Sequence, residues 1–162
     1  MSLSLPEELA EQIEHILAEL YYETEAECIL LADISGQLIS TQGQMTGIDP
    51  VLIAALAAGN VAAMSELTRQ IGEESHLGSF LHEGDNKGIY LFNIGGSFVL
   101  IVIFQINTLL GLVRLLGGRA AGQLHALSAQ FEEHMNQPHS IPNADFGAAL
   151  ADELDQAFGE LF

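Results

Sequence analysis

Between Pro50 and Ile71 runs VLIAALAAGNVAAMSELTRQ, a helix-forming stretch in which Asn60 is the only strongly polar residue from Val51 to Met64. A surface helix ordinarily carries one apolar stripe, whereas a helix apolar all round must be covered on more than one side. A chain of 162 residues has little spare structure to do that covering. Ala54, Ala55, Ala58, Gly59 and Ala62 are small enough to let a second backbone approach closely. A symmetric partner would meet its own copy of the same surface, so the segment predicts a homodimer. The alternative is a central core helix of a monomer.

The length suits one compact domain with an appendage. Net charge is −18, and Arg69, Lys87, Arg114 and Arg119 are the only Lys and Arg residues, so polyphosphate backbones and anionic membranes are repelled and nucleic acid is not an expected partner. The longest uninterrupted apolar run, Phe98 to Phe104, falls far short of the roughly 20 residues that span a bilayer, and the N-terminus lacks a basic region followed by a hydrophobic one. No membrane insertion and no export are expected. Cys28 is the only cysteine, so no internal disulfide can form, and a cytoplasmic protein is the expectation.

Along the chain, Leu9, Ile13, Ile16, Leu17, Leu20 and Tyr21 recur at helical spacing between Pro6 and Tyr22, with Ser4 as the expected cap. Two strands follow, Glu27 to Ala32 and Gln37 to Thr41, joined by the turn Asp33-Ile34-Ser35-Gly36. Asp49 before Pro50 reads as N-cap and first-turn proline of the alanine-rich helix. Three extended runs come next, His76 to Glu83, Lys87 to Ile94 and Ser97 to Phe104, with connections short enough to require antiparallel neighbours. The last is apolar on both alternating faces, as a strand covered on both sides must be. A final long helix is capped by Asn107 or Thr108, uses Leu109, Leu112, Leu116, Leu124, Leu127 and Phe131, runs to about Met135, and is expected to kink at Gly117-Gly118. The order α-β-β-α-β-β-β-α gives an α/β (α+β) sandwich on a five-stranded antiparallel sheet.

Residues 136–145 turn polar, with Pro138 and Pro142, and read as a linker after a domain of residues 1–135. In residues 146–162, Phe146, Leu150, Leu154 and Phe158 recur every fourth position with acidic residues off the stripe. This is an amphipathic acidic C-terminal helix, either a docking stripe for a partner or a cap on its own domain.

The sequences ILLADISGQLISTQG, ALAAGNVAAMSEL, FLHEGDNKGIYLFNIGGSFVLIVIF and LLGLVRLL together resemble the Roadblock/dynein-light-chain domain family over roughly Ile13 to Phe131. The resemblance implies a profilin-like fold and a homodimer that pairs strands at the sheet edge and lays the alanine-rich helices antiparallel. It also implies a scaffold or regulator of a small Ras-like GTPase, or a subunit of a dynein motor. Bacterial and archaeal members are generally paired with a small GTPase. The C-terminal helix lies outside the family pattern.

The chain's own chemistry is sparse. It lacks the Gly-x-x-x-x-Gly-Lys-Ser/Thr loop of nucleotide-binding proteins. His134 and His139 have a spacing seen in zinc sites but no matched Cys or acidic ligands, so no metal or cofactor is expected. Cys28 lacks a basic neighbour and reads as a buried structural thiol. Arg114 reads as the partner of a carboxylate near the start of its helix rather than as a group lent to a GTPase's phosphates.

The chain therefore reads as a non-enzymatic dimeric regulator or scaffold, with no catalytic residues. Ile53, Ala57, Asn60 and Met64 are the candidate GTPase contacts, and Ala54, Ala55, Ala58, Gly59 and Ala62 the candidate dimer seam. The alternatives are a PAS- or GAF-like small-molecule sensor, in which His76 or His82 would be the haem ligand, and a motor-complex light-chain scaffold with no GTPase.

Overall fold

The computed structural model describes residues 4–74, 77–137 and 143–159, with side chains of 143–150 excepted. The chain divides into two compact units, Met1–Glu132 and Glu133–Phe162.

The elements follow the expected order: α1 (Glu7–Thr24), β1 (Cys28–Asp33), β2 (Leu38–Gly43), α2 (Pro50–Gln70), β3 (Ser79–Glu83), β4 (Lys87–Ile94), β5 (Phe98–Gln105) and α3 (Leu110–Asn136), whose last residues belong to the second unit. The five strands form one sheet in the order β2-β1-β5-β4-β3, with every neighbouring pair antiparallel. β5 lies at the centre, and its FVLIVIF run is buried throughout because both faces of the sheet are covered.

On one face, Leu9, Ile13, Leu17 and Leu20 of α1 and Val113, Leu124, Leu127 and Phe131 of α3 pack on Ile29, Leu31, Phe92, Phe98, Leu100 and Phe104. On the other, α2 sets Ala57 against Cys28, Leu30, Leu91, Val99, Ile101 and Ile103, with Ile53 and Val61 packed alongside. Each large apolar side chain so buried contributes on the order of 1.5–3 kcal/mol, which makes this double-sided sheet the source of the fold's stability.

Local signals act where the sequence places them. The Asp33 carboxylate accepts from Ser35 N at 3.0 Å, Ser35 Oγ at 2.6 Å and Gln37 N at 2.9 Å, and Gly36 takes φ 93°. That ties the β1–β2 turn as the Asp-x-x-Gly pattern requires. Asp49 Oδ1 accepts from Leu52 N at 3.2 Å and Pro50 occupies the first turn, which starts α2.

Other expectations are corrected. Ser4 is not the cap of α1, whose N-cap is Pro6 with no side-chain cap bond. α3 begins at Leu110, two residues beyond Thr108, and in the preceding turn Thr108 N donates to Gln105 O at 2.9 Å. The third strand covers Ser79–Glu83, shorter than the extended run His76 to Glu83 read from sequence, and His76 lies outside the described residues.

α3 runs uninterrupted through Gly117-Gly118. A Cβ on Gly117 would stand 2.5 Å from Phe92 Cζ, so this glycine admits the ring rather than weakening the helix by accident. Its inward stripe near the start is Val113, Gly117, Ala120 and Ala121, whereas Leu109 is exposed and Leu112 and Leu116 are half-buried.

The second unit contains α4 (Asn143–Gly159). Leu154 and Phe158 are exposed and, being four residues apart, share a face. The side chains of Phe146 and Leu150 lie outside the described residues.

Candidate functional site

The unusual surface belongs to α2. Of its 21 residues only Ala54, Ala57 and Ala58 are buried. These three face the sheet because residues three and four apart share one side of a helix. The opposite side stays apolar and open: Val51 is 64% exposed, Leu52 53%, Leu56 64% and Leu67 56%, with Ala55, Gly59, Ala62 and Ala63 exposed between them. Contiguous apolar exposure of this kind marks a surface that another molecule covers. By length and composition alone α2 is also apolar enough to cross a membrane, which a count of uninterrupted apolar runs passes over.

The structure divides the expected seam. Ala55, Gly59 and Ala62 lie on the open side, but Ala54 and Ala58 are consumed by the chain's own sheet and have no surface to offer a partner. The expected GTPase contacts divide likewise. Asn60 is exposed and Met64 half-buried, whereas Ala57 is buried and Ile53 packs against the cluster beneath the helix. In both sets the division between buried and exposed residues has one cause: sequence spacing defines the helix faces, but the sheet chooses which of them is inward.

Beside α2 the sheet is left partly uncovered. A groove of about 300 Å3 opens between the C-terminal half of the helix and strands β3 and β4, lined by Asn60, Val61, Met64, Phe80, Leu91 and Asn93 among others. Asn93 Nδ2 donates to Ser65 Oγ at 3.5 Å, while Asn93 Oδ1 is buried without a hydrogen-bond partner among the described residues. At the rim, Arg69 is occupied by Glu66, its Nη2 2.6 Å from Oε1. That contact lowers the Glu66 carboxyl below its ordinary range.

A second concavity of about 260 Å3 lies on the α3 side of the same strands, lined by Ser79, Tyr90, Phe92, Arg114 and Gly118 among others. Tyr90 and Phe92 stack at 4.5 Å with their planes 10° apart. Among the described residues Arg114 has no carboxylate partner of the kind the sequence reading expected; its Nε donates to the Tyr90 hydroxyl at 3.0 Å. Chain neighbours alone could not have disclosed a partner 24 residues away.

Cys28 is fully buried in β1, and burial, reinforced by the neighbouring Glu27 charge and opposed by Lys87, pushes its thiol up to about 11. It is a packed side chain and not a nucleophile at neutral pH. Among the described residues no group of three His, Cys, Asp or Glu is arranged to hold a metal, and His139 lies outside them. What the arrangement offers is contact area: an apolar helix face, an adjoining groove and the open edge of β3.

A sequence model of the Roadblock/LC7 domain matches residues 12–104. Among the solved structures similar to this chain are three of MglB proteins. MglB of Myxococcus xanthus is 37% identical, with a TM-score of 0.71, covering 85% of this chain and 100% of its own. The gliding protein MglB of Thermus thermophilus is 30% identical, TM-score 0.70, covering 80% and 97%. A further MglB, described in a tetrameric arrangement, is 29% identical, TM-score 0.70, covering 80% and 96%.

Proposed function

Because this chain belongs to the Roadblock/LC7 domain family, we propose that it is a dimeric regulator or scaffold of a small Ras-like GTPase, working through contact rather than catalysis. The observation that carries the reading is the outer face of α2, where Val51, Leu52, Leu56 and Leu67 are exposed together on one helix. A second copy of the chain covers part of that face along Ala55, Gly59 and Ala62, where the missing side-chain bulk lets two helices approach. Asn60 and Met64, with the apolar residues left at the helix's N-terminal end, form the surface for the GTPase. The family resemblance supports that choice of partner, and the tetrameric arrangement described for one MglB supports self-association.

Regulation requires that the GTPase be bound with different affinity in its two nucleotide states, since a ligand shifts a conformational equilibrium only by its differential affinity. The C-terminal stripe of Phe146, Leu150, Leu154 and Phe158 is a second contact element under this reading. The small-molecule sensor and the motor scaffold are the competing readings. They predict, respectively, a compound that co-purifies with the protein and a partner set without a GTPase.

The test is affinity capture in parallel with GDP and with a non-hydrolysable GTP analogue, partners being identified by mass spectrometry, using the natural chain and Leu56→Glu. A small GTPase enriched with the analogue, and lost with Leu56→Glu while the melting temperature holds, is the expected result. Capture of no GTPase in either state overturns the proposal.

A further inference from the structure

Three concavities of the first unit each hold one arginine, and they differ in what attends it. In the groove beside α2, Arg69 shares the lining with Glu73 and Glu74 and is bonded to Glu66. In a small cleft between α1 and α3, Arg119 lies with Glu19 and Glu23. The concavity of about 260 Å3 on the α3 side of β3 and β4 holds Arg114, and none of its lining residues is acidic. On a chain with 22 acidic residues against 4 Lys and Arg, a pocket whose only charged group is a cation is the exception.

The donors in it are anchored but not satisfied. Arg114 Nε is held by the Tyr90 hydroxyl, while its two terminal amino groups have no acceptor among the described residues. Tyr90 is 3% exposed, and its hydroxyl, accepting from Arg114, keeps its own O–H to donate. Stacking on the buried Phe92 fixes the tyrosine ring, and through it the guanidinium. A planar fork held at one nitrogen and open at the other two is arranged to take a carboxylate on parallel N–H groups.

Beside these donors the walls are largely apolar. A Cβ on Gly118 would meet nothing within 4 Å, and Ala121 adds only a methyl, so the helix leaves the space between Arg114 and its next turn empty. The rings of Tyr90 and Phe92 form the floor, and Leu77 stands at the rim.

We infer that this concavity is a binding site for a small aromatic monocarboxylate, its carboxylate on the terminal N–H groups of Arg114 and the Tyr90 O–H, its ring over Gly118 and Ala121. Each part of that description has a cause. One cation on a chain of net charge −18 favours a single negative charge and repels polyanions such as nucleotides or acidic peptides. The volume lies just under the roughly 300–1,000 Å3 of sites for drug-sized ligands, which suits a body of one or two rings. An aromatic floor takes such a ring by stacked or edge-to-face contact. The site lies on the face of the sheet opposite α2, so it does not rest on the GTPase reading.

The test titrates benzoate, phenylacetate and indole-3-acetate, each beside its uncharged carboxamide, into the isotope-labelled full-length chain and follows backbone amide shifts. At least one acid should bind, moving the amides of Ser79, Gly118 and Ala121, with its carboxamide about tenfold weaker. Arg114→Gln should weaken the acid about tenfold and leave the carboxamide unchanged, whereas Gly118→Val, which fills the space, should weaken both. Both positions are exposed, so the melting temperature should hold in each variant. Failure of all three acids to bind at millimolar concentration overturns the site. Equal affinity for acid and carboxamide, or acid binding that survives Arg114→Gln, overturns the role of the arginine. Shifts confined to other parts of the chain overturn the location.

Discussion

Gly117 and Gly118 are adjacent in one helix, yet the structure assigns them opposite responses to the same substitution. Glycine to alanine in a helix interior gains roughly 1 kcal/mol from restricted backbone freedom in the unfolded chain and better helix propensity. At Gly118 nothing lies within 4 Å of the new Cβ, so Gly118→Ala should realise most of that gain. At Gly117 the Cβ would stand 2.5 Å from Phe92 Cζ and 2.7 Å from Cε2. The ring cannot swing aside cheaply, because Phe92 is buried and stacked on Tyr90 at 4.5 Å. Overpacking of this kind costs about 1–3 kcal/mol. Because the propensity gain is common to both sites, the difference between the two variants isolates the ring contact, and Gly117→Ala should be the less stable by about 1–3 kcal/mol. For a chain of this size that corresponds to about 2–4 °C in Tm per kcal/mol. Calorimetry of both variants at one protein concentration measures it, with Phe92→Leu in the Gly117→Ala background expected to recover part of the loss. Equal or greater stability of Gly117→Ala would refute the assignment of that glycine to the Phe92 contact.

The remaining predictions concern single groups. Asp33→Ala leaves the amides of Ser35 and Gln37 without their acceptor at a turn where Asp33 itself is buried, and should cost about 1–3 kcal/mol in urea unfolding with little change in m-value. An unchanged midpoint would show that the turn is held by its backbone alone. The Cys28 thiol, raised from 9.0 to about 11, should resist modification near pH 8 in the folded protein and react at once when denatured. The folded state keeps the proton that the unfolded chain gives up first, so this group's stabilising contribution is complete below pH 9 and declines as pH rises from 9 to 11. Rapid labelling of the native protein at pH 8 would contradict its burial.

Much of the architecture was legible because its signals are local. Asp49 and Pro50 act on amides three residues away, Asp33 and Gly36 close a turn between neighbouring strands, and the apolar alternation of β5 registers burial on both sides. Element order and antiparallel pairing follow from such signals together with short connections. The candidate surface was legible only in part. The apolar character of α2 marks it from sequence, but Ala54, Ala57 and Ala58 are as small as Ala55 and Ala62, and nothing within the helix distinguishes those that will face the sheet.

The sequence by itself determined which segments become helices and strands, where they start and turn, and that α2 has more apolar surface than its own domain can cover. Tertiary structure alone decided which side of α2 is inward, that Gly117 makes room for Phe92, and that Arg114 rests on Tyr90 in a concavity lined by no carboxylate. The division has a physical cause. Caps, turns and periodicity are interactions among residues within about four positions of one another, written in the order of the chain. Packing and register join residues distant in sequence, and they exist only once the sheet has brought those residues together.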